Sequence, residues 1–160
     1  MRWLGLAMCA LLAACGGGVD GDPAGTGGGG GGEGYPGPPG DWVRLVDAGW
    51  DLASGTEGYH CALKTIEEDM WIGAFRAVAP LGTHHTVLTI SDSTQPDGEF
   101  PCDAGRLSDE MIFASGVGTD DLILPEGVAF KIPAGKRVLL NLHLYNATAD
   151  TLEDVSGTEV

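Results

Sequence analysis

Four histidines carry most of the chemistry open to this sequence: His60, the adjacent pair His84 and His85, and His143. Imidazole nitrogen suits copper, zinc, iron and nickel. A His-His pair joined by one distant histidine offers three nitrogen ligands, a donor set that copper and zinc both accept. The same residue types also occur as solvent-exposed or core-edge side chains, and spacing alone leaves both readings open. Neighbouring residues on an ideal strand point to opposite faces. His84 and His85 therefore need a bulge or a distorted strand start near Gly82 and Thr83 before one ion can take both. Other chemistries have less support. There is no Gly-x-Ser-x-Gly elbow for a serine hydrolase, and the pair Asp120-Asp121 reads as part of a solvated loop.

The elements that must position the histidines are strands. Alternation and turn residues predict strands over residues 42–46, 49–52, 59–66, 70–79, 84–90, 111–115, 128–132 and 136–146, with one more closing residues 150–160. The segment 70–79 is expected as the hairpin partner of 59–66, and 91–110 as a long loop pinned by Cys102. Trp42, Trp50, Trp71, Phe75 and Phe130 are expected as core or edge aromatics. In 136–146, Val138, Leu140, Leu142 and Leu144 share one face, while Arg137, Leu139, Asn141, His143 and Tyr145 share the other. His143 thus lies off the core face, as a ligand on an open surface must. No helical period of useful length occurs. Many short strands between Gly and Pro turns imply an all-β antiparallel β-sandwich, jelly-roll-like.

Composition bounds the rest. The chain has 160 residues, with 23 acidic against 8 basic side chains. That balance argues against nucleic acid as a partner, because backbone binding needs Lys and Arg. Residues 1–15 read as a lipoprotein signal peptide: Arg2, a short apolar run, then Leu12-Ala13-Ala14-Cys15, similar to a bacterial lipobox with Cys15 as the lipidated residue. An ordinary signal peptide ending near Ala14 is the alternative. The apolar run is too short to span a bilayer. A lipid anchor in the bacterial cell envelope follows, with the outer membrane preferred because Gly16, not aspartate, follows Cys15. Residues 16–40, with an unbroken glycine run at 27–32, are a Gly/Pro-rich linker that cannot build a core. The folded domain is expected over 41–160. Beyond Cys9 and Cys15, only Cys61 and Cys102 remain, and an even pair in an exported domain reads as a disulfide.

Four local motifs in order then point further. They are Glu57-Gly58-Tyr59-His60-Cys61, Thr83-His84-His85-Thr86-Val87-Leu88, Phe100-Pro101-Cys102-Asp103-Ala104-Gly105, and Leu124-Pro125-Glu126-Gly127-Val128 followed by Leu140-Asn141-Leu142-His143-Leu144-Tyr145-Asn146. Together they resemble the N-terminal domain of the copper type II, ascorbate-dependent monooxygenases, the family of the peptidylglycine alpha-hydroxylating and dopamine beta-monooxygenases. The resemblance implies a β-sandwich in which His84, His85 and His143 bind one copper that stores and delivers an electron, with ascorbate as reductant. It gives His60 no ligand role. In that family oxygen and substrate meet at a second copper, held by two histidines and a methionine in a further domain. No His-x-His occurs in these 160 residues and no histidine follows His143, so a partner chain or a second copper domain is expected to complete any C–H hydroxylation. Thr86 stands where the eukaryotic members often have methionine, and their additional disulfides have no cysteines here. Two readings of different class follow. One is a copper monooxygenase-like domain that is catalytically incomplete alone. The other is a non-catalytic, lipid-anchored β-sandwich for copper binding or adhesion.

Overall fold

A computed structural model of the chain describes residues 41–104 and 110–160. The signal peptide with Cys15 and the linker expected over 16–40 lie outside the described residues. What is described is all-β, with three antiparallel sheets. The strands are β1 (Arg44–Leu52), β2 (Glu57–Thr65), β3 (Met70–Ile72), β4 (Ala74–Val78), β5 (Thr83–Ser91), β6 (Gly98–Pro101), β7 (Glu110–Gly116), β8 (Leu122–Ile123), β9 (Phe130–Ile132), β10 (Arg137–Tyr145) and β11 (Leu152–Glu159). One sheet has the order β1-β11-β4-β8, a second β6-β2-β10-β5-β7, and β3 pairs with β9 in a small third. With β3, β6 and β9 set aside, the other eight strands nest between the two large sheets as in a double Greek-key jelly roll.

The two large sheets meet over a shared apolar core. Leu45, Val46, Ala48 and Trp50 from β1 and Phe75 from β4 pack against Leu88, Phe113, Val138, Leu140, Leu142 and Leu144 of the other sheet. The alternation read in β10 is realised in full: Val138, Leu140 and Leu142 are 0% exposed and Leu144 3%. Phe75 stacks on Phe113 with centroids 5.4 Å apart and meets Phe130 edge-on at 5.7 Å.

Three strand expectations are corrected. Residues 70–79 are not one strand beside β2. The chain breaks at Gly73, so that β3 joins β9 while β4 crosses to the first sheet beside β11 and β8. Apolar patterning could not distinguish one buried strand from two that serve different sheets. The segment 91–110 is not wholly loop, because β6 adds an edge strand to β2. Residues 42–46 and 49–52 merge into β1, which pairs along its length with β11 after a register shift between Arg44 and Val46. Trp71 also departs from the core-or-edge expectation. It is 68% exposed, with the Lys131 ammonium 5.2 Å from its ring centroid.

Candidate metal centre

Strand β10 is the middle strand of the five-stranded sheet, flanked by β2 and β5. On its outward face His143 therefore has a neighbour on each side: Tyr59 of β2 and His85 of β5 lie directly opposite it. The next step along the β5–β10 ladder is irregular. Leu144 pairs with Thr83, not His84, so two residues of β5 span one step of β10. His84 is the extra residue of a β-bulge. This local departure from alternation lets adjacent histidines approach one point, the condition that the sequence set for a shared ion.

The bulge is held from beneath by buried hydrogen bonds. Trp50 Nε1 donates to Ser156 Oγ at 2.7 Å, and Ser156 Oγ lies 2.6 Å from Thr83 Oγ1. Thr83 is thereby fixed from the core side immediately before His84. Gly82 has φ +105°, and a Cβ there would stand 2.8 Å from Trp50 Cη2. The turn that launches β5 can close against the indole only with glycine at that position. On the other side of the pair, Thr86 is fully buried, with its Oγ1 3.0 Å from Ser115 Oγ on β7.

The outcome is a cluster of three imidazoles on an accessible sheet face. His84 Nδ1 lies 3.2 Å from His85 Nδ1 and 3.2 Å from His143 Nδ1. One ligand atom from each ring falls within 4.8 Å of the others. An ion bound at about 2.0 Å in trigonal or tetrahedral geometry separates its nitrogen ligands by about 3.3–3.5 Å. The two His84 separations fit that requirement, and a spread as wide as 4.8 Å would have to close for one ion to meet all three. A neutral imidazole offers one nitrogen lone pair, and a single cation can accept such pairs from several rings at once. Protonation of His85 is disfavoured. Burial, and then the neighbouring His143 and His84, push the His85 pKa below its ordinary 6.5.

The outer side of His143 is also furnished. Its Nε2 lies 3.5 Å from the Glu57 carboxylate, an arrangement that favours the proton on Nε2 and leaves Nδ1 as the donor atom. The Tyr59 ring stacks on the His143 ring at 4.5 Å with planes 9° apart. Gly116 lies opposite His85 on the remaining side and brings no side chain to the face. Glu57 and Tyr59 were legible only as part of a motif. Their shared parity on a strand was available, but their placement beside His143 required knowing that β2 pairs with β10.

Cys61 and Cys102 form a disulfide, with Cα atoms 5.9 Å apart. It lies on the same outward face, two residues from Tyr59. Asn141, two residues from His143, donates from Nδ2 to the Asp103 carbonyl at 2.8 Å and lies 3.3 Å from Cys61 Sγ. The loop after β6 is thereby tied down beside the cluster. His60 lies apart from it. Strand parity turns His60 to the other face, where Nε2 meets the Glu99 carboxylate at 3.2 Å. The structure thus brings together His84, His85 and His143 and leaves out His60.

No protein-family model matches the sequence, and no curated protein matches it either.

Proposed function

We propose that the domain is a copper-binding, electron-storing module of an ascorbate-dependent monooxygenase-like protein. The observation that carries this reading is the gathering of His84, His85 and His143 on an accessible sheet face, with one ligand atom of each within 4.8 Å of the others. The donor set contains nitrogen alone, with no thiolate, and copper heads the Irving–Williams order for such ligands. The ordered motifs around Cys61, His84, Cys102 and His143 give the resemblance from which the redox role is taken. Copper held there would supply a one-electron couple between its cuprous and cupric states.

The chain's own residues have defined tasks in this reading. His84, His85 and His143 donate Nδ1 lone pairs. Glu57 holds the outer proton of His143, and Tyr59 limits rotation of that ring. The bulge at His84 and the Thr83–Ser156–Trp50 contacts keep the donors together, so that little reorganisation accompanies a change of charge. Exposure of His84 leaves a route for electrons to a partner. Hydroxylation of a C–H bond needs a second centre, which a further domain or partner chain would provide. Residues 12–15 support attachment of the whole to a bacterial membrane through Cys15.

Anaerobic reduction tests the redox role. Protein loaded with one equivalent of cupric ion should lose its paramagnetic resonance signal on addition of ascorbate, retain the metal, and regain the signal with an outer-sphere oxidant. Release of the metal on reduction, or a cupric signal that ascorbate leaves intact, would contradict electron storage.

A further inference from the structure

Beside the histidine cluster runs a groove of about 500 Å³, bordered by His84 and by two turns, Pro80-Leu81-Gly82 and Val117-Gly118-Thr119. Its rim is apolar and open: Leu81 is 72% exposed, Val117 85% and Tyr145 50%. Exposed apolar side chains gathered round one concavity mark a binding surface more than a solvated loop. Although 19% of the chain is Asp, Glu, Lys or Arg, none of these is among the described residues lining the groove.

Its hydroxyls are mostly engaged within the protein. Thr83 and Ser115 bond to Ser156 and Thr86, Thr119 accepts from the Gly116 amide, and Thr148 bonds to Asn146. Tyr145 also lines the groove, and its hydroxyl makes no hydrogen bond to the described residues. A phenol hydroxyl can donate to a ligand oxygen.

We infer that this groove binds a small uncharged organic molecule with an apolar body and an oxygen acceptor, such as an amide, ketone or quinone oxygen. The apolar rim holds the body, and the Tyr145 hydroxyl donates to the oxygen. An anion is disfavoured twice. No cation is among the described residues lining the groove, and the chain carries a net charge of -15, which repels anions at longer range. The inference does not depend on which metal the cluster takes. It places the ligand against the outer edge of one member of that cluster.

Benzamide and benzoate separate the two charge states in nearly one shape. The full chain, labelled for amide NMR and free of metal, is titrated with each. Benzamide should give saturable shifts confined to residues 81–84, 115–119 and 145–148, and benzoate should give none. Val117→Asp, at a turn tip too exposed to disturb the fold, should weaken benzamide binding roughly tenfold, a change of about 1.4 kcal/mol. Tyr145→Phe should weaken it several-fold. Absence of saturable benzamide shifts, shifts centred elsewhere, equal binding of benzoate, or an unchanged affinity in Val117→Asp would overturn the inference.

Discussion

His85 lies directly opposite His143 across the β5–β10 ladder, with ring centroids 4.8 Å apart. The pairing joins residues far apart in the chain through the register of two adjacent strands. His84 reaches the same place only because one extra residue of β5 is accommodated there. The candidate site is therefore a property of register, and substitutions that disturb the β5 start should act on metal binding without touching a ligand.

Gly82 is the most direct such position. Gly82→Ala would place a Cβ 2.8 Å from Trp50 Cη2 at a φ of +105°. Backbone strain and overpacking together should destabilise the fold by about 3 kcal/mol, read by chemical denaturation. Because Gly82 also accepts a hydrogen bond from the Tyr145 amide at 2.8 Å, metal affinity should fall in the same variant while His84, His85 and His143 are intact.

Ser156→Ala tests the buried support. Ser156 is fully buried and joins Trp50 Nε1 to Thr83 Oγ1. Its loss leaves the indole N–H without its acceptor, at a cost of about 1–3 kcal/mol. Thermal unfolding should show the loss, and an unchanged midpoint would show that the contacts are not limiting.

Much of this arrangement was legible beforehand, for a physical reason. A two-residue period in β10 states which face is buried, so the outward position of His143 followed from the leucines at 140, 142 and 144. The need for an irregular backbone at His84 followed from the same period. Sheet partners were less accessible. The break at Gly73 and the edge strand at 98–101 depend on contacts distant in sequence, and short apolar runs do not encode which sheet they join. The placement of Glu57 and Tyr59 beside His143 depends on the same kind of distant pairing, as do the Trp50–Ser156–Thr83 contacts.

The disulfide should contribute to stability more than to the ligands themselves. Cys61 and Cys102 close a loop with a sequence separation of 41, for which the chain-entropy treatment gives about 4 kcal/mol. The double variant Cys61→Ser, Cys102→Ser should lower unfolding stability by about that amount. Equal stability with and without the bridge would show that the loop is already held by Asn141 and the β2–β6 pairing.

Acid should weaken the fold through Glu159. Hydrogen bonds from Arg76, at 2.6 Å, and Arg44, at 3.2 Å, hold its carboxyl below the ordinary 4.5 despite partial burial. In the unfolded chain this carboxylate takes up a proton first as pH falls. Its stabilising contribution is therefore present above about pH 4.5 and is lost on further acidification through the depressed folded value. Glu159→Gln should be less stable than the parent at pH 7, and the gap should narrow toward pH 3. A gap independent of pH would contradict the linkage.

We propose that His84, His85 and His143 hold one copper ion between them. Calorimetric titration of the purified chain with cuprous and cupric ions, run beside His143→Ala and His60→Ala, tests it most directly. The parent should bind one equivalent in each oxidation state. His143→Ala should lose affinity at least tenfold, whereas His60→Ala, whose imidazole faces Glu99 on the other side of the sheet, should match the parent. Equal affinity in the parent and His143→Ala would show that the three histidines do not share the ion.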